Sequence, residues 1–266
     1  MKVLLVSLLA TAFTACAVPR LAFQVYGVRD LAAKDLRGTL KAAKALGYEG
    51  VETGRFFGLG ASELKALCAE TGLELVALQL YPYNLTEPEL GETIRFCRDC
   101  GCRRVNVAWY RGSAENANDW QLLINVLNHA AEVCAKEGIV VAYHNHDHEF
   151  STKLEGRTVW DWLWTPHAAD RENAQVVVRR PFSSLVRQEI DPANCILGGG
   201  DPIACLKRHP HRNPTIHVSL NVAADWPAIL KAAEEDGVEW LVMKPTNSPA
   251  SLSGLQIPDF LKRMIR

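Results

Sequence analysis

The sequence predicts an α/β protein built as a closed (β/α)8 barrel. Three observations carry this. Past residue 19, eight short apolar strand-like runs alternate with helix-like segments. The stretch from 20 to 266, about 247 residues, has the usual length of such a barrel. Finally, the apolar run Gly138-Ile139-Val140-Val141-Ala142 leads directly into Tyr143-His144-Asn145-His146-Asp147-His148-Glu149-Phe150. Polar groups that dense are costly to bury unless they are paired or bound, and the C-terminal end of a barrel strand is where chemistry sits.

The elements follow in order. Leu21 to Tyr26 is the first strand, and Leu36 to Leu46 a helix stopped by Gly47. Tyr48 to Glu52 is the second strand. Ala61 to Thr71 is a helix with Leu64, Leu67 and Cys68 on one face and Gly72 as its stop. Leu73 to Leu80 is the third strand, and Glu87 to Cys100 a helix with Pro88 in its first turn, where proline is tolerated. Arg104 to Trp109 is the fourth strand, Asp119 to Lys136 a long amphipathic helix and Ile139 to Tyr143 the fifth strand. Val159 to Trp164 starts a short helix, and Pro166 to Pro181 reads as an irregular insertion. Leu185 to Ile190 is the sixth strand and Asp201 to Arg208 a helix. Pro214 to His217 is the seventh strand, Trp226 to Asp236 a helix, Glu239 to Met243 the eighth strand, and Leu255 to Ile265 the last helix.

The same alternation also suits a doubly wound sheet. The first strand, however, runs into Tyr26-Gly27-Val28-Arg29-Asp30, which is no glycine-rich phosphate fingerprint. Gly198-Gly199-Gly200 reads as a tight turn, with close approach to an anion as the alternative. No linker or repeat interrupts residues 20–266, so one domain is expected.

Residues 1–19 differ in character. Lys2 precedes an apolar run from Val3 to Ala15, followed by the small residues Ala15, Cys16 and Ala17, as in a secretory signal. Phe13-Thr14-Ala15-Cys16 resembles a lipoprotein cleavage box, with Cys16 as the lipid-anchored residue. The expectation is export, to the periplasm or a lipid-anchored state. The alternative is a cytoplasmic protein with a first strand from Lys2 to Leu9. Cysteine usage pulls toward that alternative, because an exported chain tends to pair or lose its cysteines. Of eight cysteines, seven remain without Cys16, an odd number. Cys97, Cys100 and Cys102 lack a matching Cys or His pair and read as incidental thiols at a helix end, not a zinc site.

A formal net charge of −1 argues against a nucleic-acid surface, which would need a basic stripe, so no nucleic-acid partner is expected. Nothing in the sequence sets an oligomeric state. The strand ends gather Tyr26, Glu52, Tyr81, Trp109, His146, Glu149, Asp191, His217 and Lys244. Carboxylates with neutral imidazole suit a divalent cation such as Mn²⁺, Co²⁺ or Zn²⁺, which would polarise a carbonyl and ease loss of a neighbouring proton. Tyr26, Tyr81 and Trp109 offer flat faces for a sugar ring. Each residue also has a plain structural reading: a hydrogen-bonded histidine, Asp191 capping a turn before Pro192, Trp109 as core.

Several motifs in order resemble the sugar phosphate isomerase/epimerase family of xylose isomerase-like TIM barrels. They are Gln24-Val25-Tyr26-Gly27-Val28-Arg29-Asp30, Leu46-Gly47-Tyr48-Glu49-Gly50-Val51-Glu52, Tyr143 to Phe150, Asp191-Pro192-Ala193-Asn194 with Gly198-Gly199-Gly200-Asp201-Pro202, Thr215-Ile216-His217, and Asp225-Trp226-Pro227-Ala228-Ile229. The resemblance spans about residues 20 to 244. It implies one bound divalent metal and isomerisation or epimerisation of a sugar or sugar phosphate by proton transfer. Glu149, Asp191 and His217 fall on three of the family's four metal-ligand positions. Glu149, Lys244 and His146 are the expected catalytic residues. Tyr26, Glu52, Trp109 and Asn194 are the expected contacts to a small-molecule carbohydrate.

One departure stands out. At the end of the eighth strand the family carries a glutamate, a metal ligand and acid/base; here Leu241-Val242-Met243-Lys244-Pro245 puts a lysine there. The nearest acid, Glu239, starts that strand. Many relatives follow the seventh-strand histidine with Leu-Lys-Asp, where this chain has Val218-Ser219-Leu220. An ammonium near the cation weakens metal binding or replaces the metal. The alternative function is therefore a carbohydrate-binding barrel that has lost metal and catalysis. A third reading, a metal-dependent endonuclease at abasic sites, would need more His and acidic ligands and a basic face for DNA.

Overall fold

Eight parallel strands close on themselves in the computed structural model, which describes residues 18–54, 57–113, 116–166, 170–172, 175–177, 179–245 and 255–264. They are β1 (Arg20–Gln24), β2 (Gly50–Thr53), β3 (Glu74–Leu80), β4 (Arg104–Val107), β5 (Val140–His144), β6 (Arg187–Ile190), β7 (Thr215–Val218) and β8 (Trp240–Met243). Each pairs with its neighbour in sequence, and β1 closes the ring on β8. The helices are α1 (Leu36–Leu46), α2 (Ala61–Thr71), α3 (Glu89–Cys100), α4 (Ala117–Lys136), α5 (Val159–Trp164), α6 (Pro192–Leu197), α7 (Pro202–Arg208), α8 (Trp226–Asp236) and α9 (Asp259–Met264). The expected signal segment, with Cys16, lies outside the described residues apart from Val18 and Pro19. Among the described residues no helix is long and apolar enough to cross a membrane.

Local chemistry sets the helix ends. Asp35 accepts the Gly38 amide at 2.8 Å to start α1, and Gly47 ends it in the left-handed region. Asp225 and Gly237 do the same for α8. The main core lies between the strands and the helices, where Leu40, Leu64, Leu90, Leu123, Ile124, Leu127 and Ile229 are buried.

The barrel interior divides in two along its axis. Its N-terminal end is plugged by Ala22, Val76, Ala77, Trp240 and Val242. Gly50 makes room for this plug, because a Cβ there would lie 2.7 Å from the Trp240 ring and against Val76. Above it the interior turns polar, with Gln24, Glu52, Gln79, Asn106, His144, Glu189, Thr215 and His217 all buried. A barrel interior of Val, Ile and Leu needs no explanation; a buried layer of carboxylates, amides and imidazoles does.

Several expected elements are corrected. β1 stops at Gln24, and Tyr26 sits in a 3-10 turn (Val25–Val28), since β1 loses its neighbours there. β4 stops at Val107, leaving Trp109 in the following loop. α6, between the sixth strand and Gly198, is not among the elements the sequence predicts. It is a helix because Asp191 caps it and Pro192 occupies its first position. Within the Pro166 to Pro181 stretch, Asp170–Glu172 pairs antiparallel with Gln175–Val177. After β5 come a single turn of helix (His148–Ser151) and a small hairpin (Lys153–Leu154 with Arg157–Thr158).

The Gly198-Gly199-Gly200 run serves packing. A Cβ on Gly198 would run into the Asp147 carbonyl and the Phe150 side chain, so the glycine lets the end of α6 lie on the loop after β5. Gly198→Ala is expected to destabilise the protein by about 1–3 kcal/mol through overpacking. Urea denaturation would measure this, and an unchanged midpoint would contradict the packing role.

Candidate functional site at the C-terminal mouth

His217, on β7, is the hub of the polar layer. Its Nε2–H faces Glu52 Oε1 at 3.0 Å and Glu189 Oε2 at 3.4 Å, and all three side chains are fully buried. The carboxylates are held in turn. Gln24 donates to Glu52 at 3.1 Å, Asn106 bridges Glu52 at 3.0 Å and Glu189 at 2.6 Å, and the Thr215 hydroxyl donates to Glu189 at 2.8 Å. Burial alone would lower the His217 pKa, but Glu189 and Glu52 lift it to about 10. Burial would raise Glu189, yet His217 and the surrounding donors hold it down to about 2. Glu52 yields: burial, then the Glu189 charge, push it up to about 7 against His217.

This arrangement sets a pH dependence. His217 rises from 6.5 to about 10, so its stabilisation is complete below about 6.5 and lost as pH climbs through 10. Glu52, raised from 4.5 to about 7, adds a loss over that lower interval. Glu189 is depressed from 4.5 to about 2, so its contribution holds above 4.5 and vanishes as pH falls through 2. The protein in chelator should therefore lose stability steadily from about pH 6.5 to 10. Denaturation midpoints against pH would show it; a flat alkaline limb would contradict it.

One layer higher, Lys244 donates to Asp191 Oδ2 at 2.9 Å. Asp191 is fully buried, whereas the lysine side chain is 28% exposed. Asn194 donates to the same oxygen at 3.1 Å and to the Asn145 carbonyl at 3.1 Å. Asn145 accepts the Asp191 amide at 2.8 Å, tying the end of β5 to that of β6. His217 Nδ1 lies 3.9 Å from Asp191 Oδ2. The His144 and His217 rings lie tilted against each other at 4.3 Å between centroids, and His146 meets His144 edge-on at 4.9 Å. Burial, then the charge on His217, lowers His144 well below the ordinary range. Burial and the Lys244 charge bring His146 down to about 4. Both rings are therefore neutral at pH 7.

Glu149 belongs to its own loop. The Tyr143 hydroxyl donates to its Oε1 at 2.6 Å, and the His146 amide to its Oε2 at 2.8 Å. Burial raises its pKa. Among the described residues, two groups bring three ligand atoms within 4.8 Å: His144, Asp191 and His217, and Glu52, Glu189 and His217. Glu149 is in neither.

The donors bear on a divalent cation in two ways. His144 Nδ1 and His217 Nδ1 are buried without a hydrogen-bond partner, and Glu52 orients the other nitrogen of His217, as carboxylates do behind metal-bound imidazoles. Two imidazoles and one carboxylate fit a borderline cation. The ammonium of Lys244 on that carboxylate opposes it, and with His217 it already balances the buried acids.

The sequence-predicted residues thus divide. Asp191, His217, Lys244 and Asn194 converge. Glu52 lies beneath them, fully buried and bonded to His217. His146 lines the mouth beside them. Tyr26 is 51% exposed under the Arg29 guanidinium. Trp109, 42% exposed, lines a cavity of about 510 Å³ with Arg111, Ser113, His148 and Thr152. Glu239 pairs with Arg104 at the opposite end of the barrel, at 2.7 Å. Glu189 and His144 were not singled out from sequence as ligands. Glu189 had a signal: it stands two residues before Asp191, on the same face of an alternating strand.

Comparison with known proteins agrees with the fold. Inosose dehydratase from Geobacillus kaustophilus (strain HTA426) is 25% identical over 196 residues, 65% of this chain; the match spans only 58% of that relative's length. A sugar phosphate isomerase/epimerase from Parabacteroides distasonis ATCC 8503 superposes with a TM-score of 0.68 at 18% identity, covering 91% of this chain and 92% of the other. The E. coli 3-keto-D-glucoside 4-epimerase superposes at 0.58 with 12% identity, covering 92% and 98%. At such identities these two structures speak to the fold. The family model described as xylose isomerase-like TIM barrel matches residues 40–251, well over half of the sequence, and the chain belongs to that family.

Proposed function

We propose that the barrel mouth binds a small carbohydrate bearing a carbonyl and moves a proton on the adjoining carbon, as an isomerase or epimerase does. The observation that carries this is the convergence of Asp191, His217 and Lys244 beside two neutral histidines at adjoining strand ends. Neutral His146 has a buried, unpartnered Nδ1 and suits a proton acceptor. Glu149, whose pKa is raised, suits an acid/base partner next to it. The partly exposed Lys244 ammonium suits hydrogen bonding to the oxygen on which charge develops. A divalent cation, if held by His144, Asp191 and His217, would supply polarisation of the same carbonyl. The exposed Trp109 face and its cavity suit the rest of the sugar. The activities that the relatives are named for, a dehydratase and epimerases, are compatible with one shared opening step, loss of a proton beside a carbonyl.

The second reading, binding without turnover, draws on the Lys244–Asp191 pair, which occupies the carboxylate a cation would need. Deuterium wash-in separates the two. A panel of ketoses and keto-glycosides in D2O should show exchange at one carbon by NMR. Lys244→Ala should slow that exchange about 10²–10³-fold, the loss typical of one oxyanion donor. Saturation transfer from a sugar with no exchange would favour the binding-only barrel. For residues 1–19 we also propose a signal segment that directs export, with lipid anchoring at Cys16 as its variant, tested by the mass of the mature N-terminus; an intact Met1 would remove it.

A further inference from the structure

One five-residue pattern, too short to be a domain repeat, occurs twice ten residues apart. Asp191-Pro192-Ala193-Asn194-Cys195 is followed by Asp201-Pro202-Ile203-Ala204-Cys205. Both copies fold alike. Each aspartate caps a helix, each proline opens it, and each cysteine amide closes the first turn on the cap carbonyl at 3.0 Å. α6 and α7 therefore carry their cysteines at the same position, in the first turn, and the two helices contact one another. Gly200, between them, admits the Cys195 sulfur, since a Cβ there would lie 2.7 Å from it. The Cys195 thiol interacts with the Cys205 thiol across the two helices. Cys195 is fully buried, while Cys205 is partly exposed; among the described residues the other five cysteines are buried.

We infer that Cys195 and Cys205 form a redox-active pair that closes to a disulfide, joining α6 to α7 directly behind Asp191. Cys205 is the entry point. Its thiolate attacks the S–S bond of a small disulfide, releasing one thiol. The Cys195 sulfur then attacks the Cys205 mixed disulfide, forming the Cys195–Cys205 bond and releasing the second thiol. The two protons and two electrons lost by the cysteines end on the two released thiols. Cys195, fully buried, is out of reach of an outside disulfide and fits a resolving role, whereas the partly exposed Cys205 fits the first attack. The bond would fix the α6 cap that presents Asp191 to Lys244. It would also give an exported form of this chain one internal pair and leave the remaining thiols shielded.

The test is incubation of the folded full chain with oxidised glutathione, followed by intact mass and peptide mapping under non-reducing conditions. The expected result is a loss of two hydrogens, a Cys195–Cys205 cross-linked peptide, and reversal by dithiothreitol. Cys195→Ser should stop at a glutathione adduct on Cys205, and Cys205→Ser should remain unmodified. A stable glutathione adduct on Cys205 in the native chain would overturn the pairing. So would no change in mass, or a cross-link among Cys97, Cys100 and Cys102. Should Cys195→Ser fail to fold, Cys205→Ser and the native peptide map decide the matter.

Discussion

His217→Ala should destabilise the protein by about 3–5 kcal/mol, the cost of stranding buried charge. The substitution removes the group that sits 3.0 Å from Glu52 and 3.4 Å from Glu189, both fully buried. Asn106, bonded to both, offers only its amide hydrogens and cannot neutralise them. One carboxylate would then have to take up a proton or draw water into the barrel. The expected shift in melting temperature is roughly 6–20 °C for a chain of this size. Adding Glu52→Gln should recover part of the loss, because it removes one of the two stranded charges while keeping an acceptor for Gln24. A double mutant no more stable than His217→Ala, or a single mutant within 1 kcal/mol of the native protein on the scale of surface substitutions, would contradict this reading of the cluster.

Lys244→Glu should raise affinity for Mn²⁺, Co²⁺ or Zn²⁺ by at least about a hundred-fold. Each unit charge about 5 Å from a cation contributes roughly 3 kcal/mol at an effective dielectric near 20, and doubly so for a divalent ion. The substitution removes a repelling ammonium, frees Asp191 Oδ2 from its 2.9 Å partner and adds a carboxylate. Lys244→Met would separate these effects, since it removes the charge without supplying a ligand. Its affinity should fall between those of the native protein and the glutamate variant. Equal affinities for all three would mean that residue 244 has no part in cation binding.

The sequence made much of the fold legible, and the reason is local. α1, α2, α5 and α8 begin and end where expected because their end signals act within a turn: an aspartate cap and a glycine stop for α1 and α8, a glycine stop for α2, and the Thr158 cap for α5. Strand ends were less legible. Tyr26 continues the apolar pattern of β1 into a turn, and only the absence of a neighbouring strand ends the ladder there. α6 announced itself through Asp191 and Pro192, the same pair that suits a simple turn. For the site, strand-end position was enough to gather Asp191, His217 and Lys244. It did not reach Glu189 and His144, which stand two residues before Asp191 and His146; only that two-residue spacing hinted that they share the inward face. Nor could it foresee that Tyr143 and the His146 amide hold the Glu149 carboxylate, since that depends on how the loop after β5 folds back.

The most direct test of the account is the metal content of the purified protein after incubation with Mn²⁺, Co²⁺ and Zn²⁺, measured by elemental mass spectrometry beside Lys244→Glu. If Lys244 and His217 balance the buried acids from within, the native chain should hold well under one equivalent and the variant about one. A full equivalent in the native protein, unchanged in the variant, would show that His144, Asp191 and His217 bind a cation regardless of the ammonium, and would contradict the account.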